Sequence, residues 1–194
     1  MNVTLATASG EIEIRLDTDR APQTTANFLH YVRNRHYDGG CFFRTVTTSP
    51  DNQPNMTVRI DVIEAEPASK DTERPPVAFE PTSETGILHR DGTISMSRDA
   101  ELASGRGNVF ICVGDQPQLD DGGMPAIHGL FSRGFAAFGH VVRGMDVVRS
   151  IHESPRREQS LTPPVTIVRA TAAEAGEAAL LDGARTADAS VIGR

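Results

Sequence analysis

At 194 residues, the chain can build one domain whose core hides on the order of 70% of the unfolded surface, and it is too short for a second full domain. Its 38% hydrophobic and 23% charged residues are those of an ordinary soluble globular protein and exclude a disordered or membrane-embedded chain. Twenty-six acidic against nineteen basic residues leave a net charge of −7, which repels phosphates and anionic lipid headgroups, so neither nucleic acid nor a membrane surface is an expected partner.

The opening MNVTLATASG carries no basic or long apolar segment, and no run approaches the ~20 apolar residues of a spanning helix. The cytoplasm is the expected compartment, and a monomer the expected state. Val3 and Leu5, then Ile12, Ile14 and Leu16, alternate on either side of ASG, which predicts two half-buried strands joined by a tight turn. In TDRAPQTTANFLHYVRNRHYDGG the spacing becomes helical. Pro22 suits a first turn, Thr25, Phe28, Leu29 and Val32 share a face, and the pair Gly39-Gly40 closes the helix.

Further short strands are predicted at 41–46, 58–64, 92–97, 108–113, 136–142 and 165–171. Together with the opening pair they suggest a mainly β fold, a closed barrel of eight strands. A second helix of about two turns enters after Gly144 with Val147, Val148 and Ile151 on its apolar side. Two long polar stretches, 67–86 and 120–134, are loops of the kind in which binding often occurs. The barrel domain is assigned to 1–171. The alanine-rich remainder, 172–194, is a tail that has room for a brief helix over 174–181.

Candidate chemistry is sparse. Cys41 and Cys112 lie in apolar runs without Cys-x-x-Cys spacing, which favours free buried thiols. The histidines at 30, 36, 89, 128, 140 and 152 are not clustered as metal ligands, so no metal is expected. SGRGN and DGGM are glycine turns rather than phosphate loops, and Asp120-Asp121 reads as a solvated turn. In DGGCFFRTV, however, Arg44 ends an apolar and aromatic run. A guanidinium there needs water, a carboxylate, or a ligand that takes up its donors.

Four segments in order, TTANFLHYVRNRHYDGGCFFRTV, GTISMSRD, NVFICVGDQPQLD and GFAAFGHVVRGMDVV, resemble the cyclophilins, the barrel-type peptidyl-prolyl isomerases. The resemblance runs from about Val3 to Thr171. It implies a closed eight-stranded antiparallel barrel capped by two helices, proline-containing peptides or protein clients as partners, assistance to protein folding, and no cofactor. By resemblance Arg44 takes the catalytic arginine position, Phe110 floors the proline pocket, Leu119 lines it, and Ser97 borders the peptide groove.

The chain also departs from the family pattern. After FFRTV it inserts TTSPDNQPNMTVRID. Aligning the ends of that insert puts Val62 on the pocket methionine, Glu64 on a glutamine, Ala65-Glu66 on two glycines, and Asp61 on a pocket phenylalanine, so a less apolar pocket is expected. Asn108 replaces a glutamine that contacts the peptide backbone, Gln118 stands where many members carry tryptophan, and Phe135 where many carry histidine. Glu64, on the strand beside Arg44, is expected to pair with it. The alternatives are a catalytically weak or inactive proline-peptide binding module and, less favoured, a barrel holding a small ligand inside.

Overall fold

The computed structural model describes residues 1–69, 74–99, 101–123 and 132–173. The opening alternation becomes β1 (Asn2–Thr7) and β2 (Gly10–Leu16), antiparallel, with Val3 opposite Ile14 and Leu5 opposite Ile12. All four of these side chains are fully buried or nearly so, as the period of two demands of a strand with one face on a core. The following strands are β3 (Cys41–Val46), β4 (Val62–Glu66), β5 (Thr93–Met96), β6 (Val109–Cys112), β7 (Ala136–Arg143), the two-residue β8 (Arg156–Arg157) and β9 (Ser160–Ala172).

The strands pair in the order β1-β2-β7-β5-β6-β4-β3-β9, and β9 returns to β1. This closes the antiparallel ring of eight read from the sequence, with β8 added as the short limb of a hairpin on β9. Closure removes the exposed edges that an open sheet would offer to other chains.

Three helices accompany the barrel: α1 (Pro22–Arg33), α2 (Thr82–Thr85) and α3 (Met145–His152). Pro22 begins α1, and Thr25, Phe28, Leu29 and Val32 are buried, the face that the spacing predicts. Phe28 packs against Tyr37 and Phe138, with ring centroids 5.4 and 5.3 Å away. The helix stops well before Gly39-Gly40. Asn34 Nδ2 donates back to the His30 carbonyl, and Arg35 turns into the left-handed region at φ 61. Gly144 leads into α3 at φ 91, and a Cβ there would lie 2.2 Å from the Glu11 carbonyl oxygen, so only glycine fits.

Two strand starts differ by several residues from the sequence reading, and one expected loop contains a helix. β4 starts at Val62 rather than 58, because Ile60 donates its N–H to Gln53 Oε1 and Asp61 donates its own to Gln116 Oε1, side-chain partners in place of a ladder. β9 starts at Ser160, earlier than the 165 suggested by Pro163-Pro164, with Ser160 opposite Arg44. The stretch 67–86 contains α2. The tail helix expected over 174–181 lies outside the described residues, and the last described residue, Ala173, still donates to the Asn2 carbonyl.

That long loop also caps α1. No side chain of its own start satisfies the helix, but the buried Glu80 carboxylate accepts from the N–H groups of Gln23 and Thr24 and from the Thr24 hydroxyl at 2.6 Å. A carboxylate at a helix N-terminus meets both unsatisfied donors and the positive end of the helix dipole. Glu80→Ala is therefore expected to destabilise the fold by about 1–3 kcal/mol, read as a lower denaturant midpoint at unchanged slope. An unaltered midpoint would show that water caps the helix equally well.

Candidate active site

β3 carries a bulge between Phe42 and Arg44. Phe42 points into the barrel opposite Ala65, both fully buried. The extra residue, Phe43, resets the alternation, so Arg44 faces outward opposite Glu64 while Thr45 returns inward opposite Ile63. Glu64 is in turn opposite Phe110, and Phe110 opposite Ser95. Arg44, Glu64, Phe110 and Ser95 thus form one row across the outer face, with the Cα atoms of Arg44 and Phe110 roughly 10 Å apart at two strand spacings.

A second apolar cluster forms on this outer face, separate from the barrel core. It consists of Val46, Val62, Phe110, Cys112 and Leu119, with Ile60 and Phe135 packed against it. The four residues expected to form a pocket, Phe110, Leu119, Phe135 and Val62, are therefore in one place. Phe135 meets Phe110 edge to face, with centroids 5.3 Å apart and planes at 89°. Its position is set by backbone: Phe135 donates to the Leu119 carbonyl at 3.0 Å, and a Cβ on the preceding Gly134 would come within 2.3 Å of that same oxygen. Arg98 lies over the other side of the Phe135 ring, 5.1 Å from its centroid.

Beneath Phe110 lies a histidine that the sequence reading gave no role. His89 is fully buried, and its ring is nearly parallel to that of Phe110, 5.9 Å between centroids. Its Nδ1 is 2.7 Å from Asp120 Oδ1 and its Nε2 is 2.9 Å from the Ser95 hydroxyl. The Asp120 carboxylate also accepts the His89 backbone N–H. Burial pushes the Asp120 carboxyl up, but these hydrogen bonds outweigh it and hold the group below its ordinary value of 3.8. The expected solvated turn is thus a half-buried anchor at Asp120, and Asp121 is bound to Ser83 and Arg133.

Arg44 is held from both sides. Its Nη1 donates to Glu64 Oε2 at 3.0 Å, and its Nε and Nη2 both donate to Gln159 Oε1, at 3.0 and 2.7 Å. Of the five guanidinium N–H groups, three are thereby used, and one on each terminal nitrogen has no acceptor among the described residues. The side chain keeps 42% of its exposure, against 13% for Glu64, so the free donors reach solvent. Gln159 was not anticipated. It sits at the tip of the β8–β9 hairpin, and only the pairing of β3 with β9 brings it to Arg44.

The inserted segment also behaves differently from its alignment. The Asp61 carboxylate turns away from the cluster to accept the Thr48 N–H and hydroxyl, at 2.9 and 2.8 Å. Ile60 packs on the cluster instead, so the pocket is more apolar than the sequence implied. Gln118 Nε2 donates to the Arg59 carbonyl and to Gln116 Oε1, which ties it to the insert. Ser97 donates its N–H to the Asn108 carbonyl, placing both residues beside the strand end next to Phe110. The buried Ser97 hydroxyl has no partner among the described residues. Also among these, no three His, Cys, Asp or Glu side chains are grouped to hold a metal ion. The outer face of the sheet thus carries an apolar cluster and, in the same cross-strand row as its Phe110, a fixed cation with donors to spare, groups that suit an uncharged ring next to an atom that accepts an N–H.

Residues 2–172 match the family described as cyclophilin type peptidyl-prolyl cis-trans isomerase/CLD. The chain is 35% identical over 152 residues to peptidyl-prolyl cis-trans isomerase A of Dickeya dadantii (strain 3937), covering 78% of this chain and 71% of that protein. It is 28% identical over 175 residues to peptidyl-prolyl cis-trans isomerase B of Escherichia coli (strain K12), covering 85% and 98%. In fold it resembles a cyclophilin type isomerase of Cryptosporidium parvum crystallised in the presence of the dipeptide Ala-Pro, with a TM-score of 0.69 at 15% identity over 90% of this chain and 99% of that one.

Because the folded Asp120 carboxyl lies below 3.8, the stability it confers is full above the unfolded value and is lost as pH falls through the lower folded one. Asp120→Asn is expected to cost about 1 kcal/mol near neutral pH, a figure already reduced for solvent screening. The gap to wild type should close below pH 3.8 in urea titrations. A gap independent of pH would show that the carboxylate charge contributes nothing.

Proposed function

The chain belongs to the cyclophilin-type peptidyl-prolyl cis-trans isomerase family, and from that premise we propose that Arg44 acts on the rotating Xaa-Pro bond while the outer cluster receives the prolyl ring. The ring's place is against Phe110, Leu119, Phe135 and Val62, with Ile60 completing the wall. The observation that carries this reading is the pair of uncommitted Arg44 donors in the same cross-strand row as the Phe110 of that cluster. The Ala-Pro dipeptide present with the Cryptosporidium relative has the chemistry this depression suits, an apolar ring next to an amide.

An amide resists rotation by about 18–20 kcal/mol because resonance keeps it planar, and uncatalysed Xaa-Pro isomerisation takes tens to hundreds of seconds. Twisting returns the lone pair to the prolyl nitrogen. A donor aimed at that nitrogen therefore binds the twisted form better than either planar form, which is the requirement for catalysis. A charged hydrogen bond stronger by about 3 kcal/mol in the twisted state raises the rate about a hundredfold. No bond to the protein forms, so neither a nucleophile nor a cofactor has a step to perform.

The remaining assignments follow from placement. Ser97 and Asn108 border the peptide path next to Phe110, joined by the bond from the Ser97 N–H to the Asn108 carbonyl. Gln118 fixes the insert at the other end, with its amide oxygen as the group left for substrate. Glu64 orients Arg44 and competes for its charge. We assign the protein to folding clients in the cytoplasm, supported by two free cysteines, Cys41 and Cys112, whose thiols burial pushes up and keeps protonated. No helix among the described residues is long and apolar enough to cross a membrane. We assign a monomeric state as well: the exposed large apolar side chains, such as Leu88, Leu102, Val142 and Val168, come from separate stretches of the chain.

NMR exchange on a short Xaa-Pro peptide tests the assignment. Arg44→Ala should lower the exchange rate about a hundredfold, and Arg44→Lys should restore little, since a point charge lacks the planar fork. Equal exchange broadening in wild type and Arg44→Ala would remove Arg44 from the mechanism. No exchange even in wild type would reduce the site to a binding groove.

In the same assay Glu64→Gln is expected to raise turnover by a factor of about 2–10, because a neutral acceptor orients the guanidinium without drawing on its charge. An unchanged or slower rate would mean that the carboxylate's hold on geometry outweighs its competition for charge.

A further inference from the structure

On the side of Arg44 opposite Phe110, between the inserted segment and the β8–β9 hairpin, lies a cavity of about 580 Å³. Arg44 and Phe43 contribute to its lining, the insert supplies Pro54 and Met56, and the hairpin tip supplies Glu158 and Gln159. Its walls are fastened together. Asn52 Nδ2 donates to the carbonyls of Thr45 and Glu158, at 3.0 and 3.1 Å, and Gln159 Nε2 donates to the Asn52 carbonyl at 3.1 Å. Gln53 is buried, and its amide bonds Thr47 and Ile60 on either side of the turn. The insert is thus a built wall whose only large apolar side chain left at the surface is Met56, 50% exposed.

We infer that this cavity is a second subsite, which takes an apolar side chain of the same extended peptide whose proline occupies the Phe110 depression. The inference rests on the active-site assignment above, because Arg44 is the wall common to both. A peptide drawn across Arg44 has the Phe110 cluster on one side and this cavity on the other. Methionine at its rim is suited to varied apolar partners, since its side chain is unbranched and polarisable. Phe43 and Pro54 supply stiffer apolar surface below it.

The hairpin tip adds charge selection. Glu158 adopts φ 56, a left-handed backbone that glycine takes without strain and glutamate does not. Placing a carboxylate there puts a negative group on the cavity rim, so a peptide with a basic residue beside the apolar one fits best. The chain's net charge of −7 draws such peptides from a distance.

The test compares a tetrapeptide with a central Xaa-Pro bond, which is confined to the Phe110 depression, with peptides extended at either end by Phe and Lys. Wild type should give kcat/KM about tenfold higher on one of the extended series, the gain from burying one apolar side chain. Met56→Ala should abolish most of that gain and leave the tetrapeptide unchanged. The Met56 methyl resonance, assigned by its loss in Met56→Ala, should shift on titration with that extended peptide and not with the tetrapeptide. Glu158→Gly should keep the preference for Phe and lose that for Lys.

If neither extension improves kcat/KM, or Met56→Ala slows both substrates equally, the subsite does not exist. A shift of the Met56 methyl without turnover of any peptide would uphold the subsite and overturn the active-site assignment. Turnover without a methyl shift would do the reverse.

Discussion

Arg44 carries a charge it cannot shed, and the site is organised around the acceptors that the fold brings to it. The bulge in β3 turns the side chain outward, and the neighbouring strands present one partner each: Glu64 from β4 and Gln159 from the hairpin at the start of β9. Neither partner is free to wander. Glu64 is fixed by its ladder position opposite both Arg44 and Phe110, and Gln159 by its bond to the Asn52 carbonyl. Three donors are consumed in holding the guanidinium and two are left aimed outward, so the group is oriented before any ligand arrives. Preorganisation of this kind costs nothing at the moment of reaction, because it is part of the folded state.

The apolar cluster on the same face comes from strands that are buried on both faces. An antiparallel strand with one solvated face alternates, as β2 does with Ile12, Ile14 and Leu16 buried between polar residues. Along β6, by contrast, Val109, Phe110, Ile111 and Cys112 are all buried. Val109 and Ile111 belong to the barrel core, while Phe110 and Cys112 belong to the outer cluster. The outer side chains are covered by Leu119, Phe135 and Ile60, which arrive from loops and from the insert. His89 then supports Phe110 from beneath with both ring nitrogens satisfied, so the floor of the depression is held by hydrogen bonds as well as by contact.

Much of this was legible in the chain. Two-residue alternation gave the hairpin, and the 3.6-residue spacing gave the buried face of α1. Val62, Phe110, Leu119 and Phe135 were singled out because the resemblance supplied their positions, and they fall in one cluster. What escaped was set by non-local hydrogen bonds. Nothing in the residues around Gln159 says that it will reach a side chain more than a hundred positions earlier; the pairing of β3 with β9 decides that. His89 likewise depends on Asp120 and Ser95 together. The start of β4 was misread because Gln53 and Gln116 satisfy the backbone of Ile60 and Asp61 from their side chains, and side-chain partners leave no periodic trace.

Pairing the cation proposed to act on the rotating bond with a carboxylate looks self-defeating, yet the two effects act over different ranges. Glu64 cancels much of the field that Arg44 projects beyond a few ångströms, and partial exposure of the pair weakens what is left by screening. The hydrogen bond that a twisting prolyl nitrogen would accept is short and directional, and it depends on an N–H vector being in place more than on net charge several ångströms away. On the reading proposed above, Glu64 therefore removes long-range attraction for anionic peptides and costs the contact step only the part of its strength that a neutral acceptor would return. Glu158, on the adjoining rim, places a second carboxylate on the cavity that Arg44 lines. On the proposed reading, peptides are selected by fit at the outer cluster and by basic flanking residues, and Arg44 is reserved for the bond that rotates.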